Sequence, residues 1–206
     1  MKGRFITFEG AEGSGKSTQA KKVLDYLRKK NLDVMLLREP GGVAISESIR
    51  KILLDVKNSA MTNECETLLY MAARAQIVEE VIIPEIKKGT IILCDRFLDS
   101  TLVYQGYGNG VELNFIRHVG SVVTQDVVPH LTFLFDLPAE KGLSRTGVHK
   151  DRIELRSLAY HKRVRQGYLT LAKEEPNRIR VIDANRSKSE INEDVRKYIN
   201  ELLGLT

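Results

Sequence analysis

Cysteine is scarce in this chain. Cys65 and Cys94 are the only two, and they form no C-x-x-C pair. No Cys/His cluster marks a zinc site. Two free thiols fit a reducing compartment and point to the cytoplasm. Long apolar runs are missing too, so no segment reaches the length of a membrane span. The residues from Met1 to Arg4 lead straight into an apolar segment, with no secretory signal before it. No membrane partner is expected. The four histidines, His118, His130, His149 and His161, are scattered. No H-E-x-x-H or similar spacing gives them a metal or acid–base role. There is no internal repeat, low-complexity tract or linker. One α/β domain over residues 1–206 is therefore expected.

One charge sign dominates only slightly. Lys and Arg number 32 against 27 Asp and Glu, a formal net charge of +5. The basic residues are dispersed rather than gathered in an arm or stripe, and no aromatic-rich binding sheet accompanies them. That argues against nucleic acid and suits a site for polyphosphate substrates.

Glycine is concentrated where it counts. Gly10-Ala11-Glu12-Gly13-Ser14-Gly15-Lys16-Ser17 is a full G-x-x-x-x-G-K-[ST] phosphate-binding loop. Its glycines let successive backbone N–H groups close on a polyphosphate as an anion nest. Lys16 reaches the β/γ-phosphates, and the Ser17 hydroxyl is placed for Mg²⁺. Residues 5–8 before it are apolar and β-prone. Ala20, Val23, Leu24 and Leu27 after it fall at helical spacing. The helix that begins there adds partial positive charge at its N-terminus. ATP-binding contacts are expected from Gly10 through Thr18.

Strands alternate with helices along the rest of the chain. Residues 33–37, 90–94, 131–135 and 178–182 read as further strands. Helices are expected near 43–54, 63–88, 99–106, 112–125, 138–145, 154–174 and 188–203. Near-continuous apolar strands between helices imply a five-stranded parallel sheet covered on both faces, the three-layer fold of phosphate-loop NTPases. In helix 63–88, Asn63 and Glu66 form a start signal. Leu68, Ala72, Ala75, Val78 and Ile82 fall on one face, expected to be buried. Pro84 is expected to kink the last turns.

Ligands in such a sheet bind beyond the carboxyl ends of the strands, and charged residues gather there. Asp95 ends an apolar strand, the arrangement in which a carboxylate holds Mg²⁺. Arg96 adjoins it, and Arg38 follows the neighbouring strand; guanidinium forks suit phosphate. Arg145, His149, Lys150 and Arg152 follow the fourth strand. With Gly147 among them, they suggest a short lid over about 145–153. On helix 63–88, Tyr70 and Arg74 are neighbours four residues apart. Ser100, Thr101, Tyr104 and Gln105 offer hydroxyls and an amide.

Together these residues resemble the thymidylate kinase family. The landmarks are the phosphate loop, Arg38-Glu39-Pro40-Gly41-Gly42, Ala72-Ala73-Arg74-Ala75-Gln76, Asp95-Arg96-Phe97 with Ser100, Tyr104-Gln105-Gly106, and Asp151-Arg152-Ile153-Glu154. The resemblance implies phosphoryl transfer from ATP, with Mg²⁺ on Ser17 and Asp95, to dTMP. It assigns Arg38 and Arg96 to the acceptor phosphate, Tyr70 to stacking on thymine and Arg74 to a base carbonyl. Ser100, Thr101 and Gln105 would line the base pocket, Tyr104 would lie beneath the sugar, and Glu12 near the sugar or phosphates. Where one class of the family has an arginine in the loop, this chain has Gly13. The transition-state charge would then come from the lid, with Arg145, Lys150 and Arg152 as the candidates; Lys16 and Arg96 are the other residues expected to be catalytic. The family also implies a homodimer through long helices such as 63–88. Two readings stay open beside it: a kinase for a deoxynucleoside or another pyrimidine nucleotide, and a non-catalytic nucleotide switch. For a GTPase switch, no N-K-x-D base reader is found.

Overall fold

The computed structural model describes residues 2–147 and 150–205. Five strands form one parallel sheet in the order β2-β3-β1-β4-β5. They are β1 (Arg4–Glu9), β2 (Val34–Arg38), β3 (Ile91–Asp95), β4 (Leu131–Asp136) and β5 (Ile179–Asp183). Each runs one residue further than the apolar stretch that marks it and takes in a terminal charged residue. The ladder carries those residues in register, pairing Arg38 with Asp95 and Asp136 with Asp183.

The helices are α1 (Lys16–Lys29), α2 (Ala44–Leu54), α3 (Asn63–Ile77), α4 (Ile83–Lys88), α5 (Leu98–Thr101), α6 (Leu113–Thr124), α7 (Ala139–Ser144), α8 (Leu158–Glu174) and α9 (Lys188–Leu203). Alternation along the strands feeds three hydrophobic clusters, one on one face of the sheet and two on the other. Ile6, Phe8, Leu93, Phe133 and Phe135 pack with Val23 and Leu27 of α1 and Val195 and Ile199 of α9. Phe5, Ile92 and Cys94 turn the other way, against Ile77, Val78 and Phe97. Leu134 and Ile179 meet Tyr104, Val164 and Tyr168. Both faces are covered, which is why the strands read as apolar throughout. The Phe8 ring lies 5.6 Å from Phe133 and 6.1 Å from Phe135. Truncating such a ring costs about 3–5 kcal/mol.

Three expectations are corrected. Helix 63–88 is capped by Thr62, whose side chain accepts from the Cys65 N–H. It contains a π-helical stretch, Val78–Ile82, ahead of Pro84. Wide turns of this kind adjust a helix to a missing donor without ending it. Its buried face is also different. Val78 and Ile82 are buried, but Leu68 and Ala72 are exposed, and Glu66, Thr67, Met71 and Arg74 are buried instead. Lastly, residues 154–157 precede α8, which begins at Leu158 with Ser157 as its cap. Ahead of it, Asp151 Oδ1 accepts from the N–H groups of Ile153 and Glu154 in a tight turn.

From β1 the chain runs toward one edge of the sheet to β2, and from β4 toward the other edge to β5. A crevice therefore opens at the carboxyl ends of β1 and β4.

Candidate active site

The phosphate loop spans the turn from β1 into α1. Gly15 sits at φ 88° directly before Lys16, the first residue of the helix. Lys16 is buried, and its ammonium donates to the Ala11 carbonyl at 3.5 Å. Burial, with Arg96 nearby, lowers its pKa; Glu12 and Asp95 oppose that shift. The Ser17 hydroxyl donates to Asp95 Oδ2. Asp95 Oδ1 is buried and has no hydrogen-bond partner among the described residues. An orphaned carboxylate oxygen beside a hydroxyl fits a small hard cation that keeps most of its shell as water and substrate phosphate. No group of three or more potential His, Cys, Asp or Glu ligands gathers among the described residues. A cavity of about 760 Å³ lies over the loop, lined also by Arg145, Ala184, Arg186 and Ser187.

A second, narrower cavity of about 110 Å³ lies beside it. Tyr70, Arg96, Ser100, Thr101, Tyr104 and Gln105 line it, all of them residues expected at the acceptor site. A π-helical stretch, Leu102–Gly108, carries Tyr104 and Gln105. Arg96 is the centre of the arrangement. Its backbone is left-handed, at φ 75°, a conformation that costs free energy in a non-glycine residue. Its guanidinium pairs with Glu12 at 2.7 Å and donates to the Tyr104 hydroxyl at 3.1 Å and to Ser100 at 3.1 Å. It also lies 4.8 Å from the Tyr104 ring centre. Burial alone would raise the Glu12 carboxyl; Arg96 and Lys16 outweigh it and bring Glu12 down to about 2.

Two arginines stand elsewhere than expected. Arg38 is taken up by Glu47, at 2.9 and 3.0 Å, and by the Pro40 carbonyl. Arg50 lines the acceptor cavity in its place. Arg74 lies behind the cavity wall. Its guanidinium holds Glu39 at 2.8 Å, Thr101 at 3.0 Å and the Phe97 carbonyl at 3.0 Å. Glu39 and Thr101 line the cavity, so Arg74 backs it.

The basic segment is also corrected. Arg145 is exposed at the phosphate loop, with Nη1 3.4 Å from the Gly13 carbonyl. Arg152 is buried. It pairs with Glu66 at 2.5 Å and donates from Nε to the Leu53 carbonyl at 2.9 Å. The fully buried Glu66 carboxylate needs charged partners, and Arg152 supplies one. His149, read as part of the lid, lies outside the described residues.

With this geometry in view, the thymidylate kinase family model matches residues 8–195. The thymidylate kinase of Symbiobacterium thermophilum is 46% identical over 200 residues, 97% of this chain and 94% of that protein. That of Geotalea daltonii is 48% identical over 197 residues, covering 91% and 92%. The chain belongs to the thymidylate kinase family. A solved thymidylate kinase from Ehrlichia chaffeensis superposes with a TM-score of 0.80 at 33% identity, over 97% of this chain and 99% of that one.

Within this thymidylate kinase fold, several cavity-lining or supporting residues lie outside the expected set, Glu9, Arg50 and Tyr168 among them. Glu9 ends β1 as Asp95 ends β3, the same signal of an acid closing an apolar strand. It accepts from the Phe97 N–H at 2.7 Å, Ser100 at 2.6 Å and Tyr168 at 2.8 Å. Burial, with Asp99 adding to it, raises the Glu9 carboxyl to about 7. Arg50, on α2, donates to the Pro40 carbonyl at 2.9 Å; no spacing rule selects it. Tyr168 comes from α8, and only the fold brings it to Arg96 and Ser100.

Proposed function

We propose that the chain transfers the γ-phosphoryl group of ATP to dTMP, giving ADP and dTDP. One observation carries this reading: Glu12 lines both cavities and is ion-paired to Arg96. Donor and acceptor sites therefore meet at the phosphate loop, as direct transfer between two nucleotides requires.

The acceptor phosphate oxygen attacks the γ-phosphorus, the bond to the β,γ-bridging oxygen breaks, and ADP leaves with that electron pair. Lys16 and Arg145 stabilise the charge on the transferring group, while Arg50 and Arg96 hold the acceptor phosphate. Mg²⁺ held by Ser17 and Asp95 would supply charge neutralisation at the phosphates. The attacking oxygen is already ionised, so no general base is needed. A nucleoside kinase would need one.

The reading keeps residues 1–206 as one domain, with Arg145 at the edge of the phosphate loop. It includes a homodimer, supported by the apolar surface that α3 and α6 leave open at Leu68, Phe115 and Val122. Light scattering would report the dimer mass. A coupled ADP-release assay across dTMP, dUMP, dCMP, AMP and thymidine tests the substrate. dTMP should be best and dUMP weaker, since a lost methyl costs ~1–3 kcal/mol. A preference for AMP or thymidine would overturn the proposal.

A further inference from the structure

Glu66 is fully buried on α3, and its two oxygens do different work. Oε1 accepts from Gln105 Nε2 at 2.9 Å and from Asn109 Nδ2 at 2.8 Å. Oε2 accepts from Arg152 at 2.5 Å and from Arg156 at 3.0 Å. Four donors on one buried carboxylate tie the acceptor-site residue Gln105 to the turn that carries Arg152.

The consequence lies at Gln105. A side-chain amide has a donor end and an acceptor end, and either can face a ligand. A carboxylate can only accept, so Glu66 must take the NH₂ end. The carbonyl Oε1 is then turned away from Glu66. It has no donor among the described residues, and Gln105 lines the acceptor cavity. A carbonyl oxygen facing the cavity asks for a donor on the base. An imide ring N–H, as in thymine or uracil, provides one; the matching nitrogen of cytosine is an acceptor.

We infer that Glu66 is a specificity-determining positioning residue, which sets the Gln105 amide so that the acceptor site selects an imide base over cytosine. This rests on the proposed dTMP reading. Glu66 touches neither substrate and acts through Gln105.

The test is Glu66→Gln, with kcat and KM measured for dTMP and dCMP beside the unmutated enzyme. In the variant the carbonyl of the introduced amide stays with the two arginines, and its NH₂ faces Gln105 and also Asn109, whose own carbonyl is held by Arg156. Two donors cannot pair, so Gln105 turns over and offers NH₂ to the cavity. The dTMP-to-dCMP ratio of kcat/KM should fall by roughly 10–100-fold, with dCMP gaining. Arg156→Gln, which leaves the Gln105–Glu66 bond in place, should keep the ratio. An equal loss for both nucleotides in Glu66→Gln would show a merely structural role and overturn the inference. If Glu66→Gln does not fold, Gln105→Leu replaces it. That variant removes the reader, and retention of full discrimination would overturn the inference. Absence of dTMP turnover in the unmutated enzyme would instead refute the proposed function.

Discussion

Gly13 and Gly142 are in direct backbone contact. A Cβ at Gly13 would lie 2.1 Å from the Gly142 carbonyl oxygen, and one at Gly142 would lie 2.3 Å from the Glu12 carbonyl oxygen. The phosphate loop and α7 are thus packed too closely for a side chain at position 13, which also has φ 66°. Gly13→Ala should destabilise the fold by ~1–3 kcal/mol and raise KM for ATP, read by thermal melting and steady-state kinetics. An unchanged melt and KM would mean that the contact is slack.

Lys16→Ala should lower kcat by roughly 10²–10³-fold at saturating ATP, the usual loss for one donor aimed at developing charge. The far-ultraviolet spectrum should be unchanged. Near-normal turnover would remove Lys16 from the chemistry.

Arg50 and Arg38 should separate. Arg50 lines the acceptor cavity, and Arg38 is occupied by Glu47. Arg50→Ala should raise KM for dTMP about 10–100-fold, the scale of one lost charge-assisted bond. Arg38→Ala should act more weakly, by loosening the loop that Glu47 also holds through the Gly42 N–H. The reverse order of effects would return Arg38 to the acceptor phosphate.

These arginines show what a sequence can and cannot carry. The phosphate loop, Asp95 and the five strands were legible because their signals are local: spacing, glycine and apolar runs. The partner of a long charged side chain is not local. Arg156 reaches Glu66 from 90 residues away, and Arg152 joins it there. Helix α3 misleads for a related reason. Periodicity favours burying Leu68 and Ala72, yet the fold buries Glu66 and Arg74, because that side of the helix faces a polar site whose bonds offset the desolvation.

Two carboxyls give opposite pH signatures. Glu9 is raised to about 7 by burial and by Asp99. Its neutral form is favoured in the folded state, so its contribution is full below the unfolded value of 4.5 and is lost as pH rises toward 7. Burial works against ionised Glu12, but Arg96 and Lys16 prevail and lower it to about 2. Its contribution is full above 4.5 and is lost as pH falls toward 2. Denaturant melts from about pH 4.5 to about pH 7.5 should show a falling contribution that Glu9→Gln removes. An identical slope in both proteins would place the Glu9 carboxyl near its ordinary value.

Arg145 and Arg152 divide the roles that a single lid had been expected to hold. Arg145 is exposed beside the Gly13 carbonyl and borders the cavity over the phosphate loop. Charge delivered there acts mainly on the transition state, so Arg145→Ala should lower kcat about 10²-fold or more, with little change in KM for dTMP or in the melting temperature. Arg152 is buried against Glu66 and the Leu53 carbonyl. Removing it leaves Glu66 with Arg156 as its remaining arginine partner and opens space in a buried site, a loss of about 1–3 kcal/mol, so Arg152→Ala should show first as a lowered melting temperature. Measuring both quantities on both variants decides the division. If Arg152→Ala melts normally but loses turnover, Arg152 leaves Glu66 during the reaction and the lid extends through it. If Arg145→Ala keeps full turnover, the transferring phosphoryl group is stabilised by Lys16 and Arg96 without it.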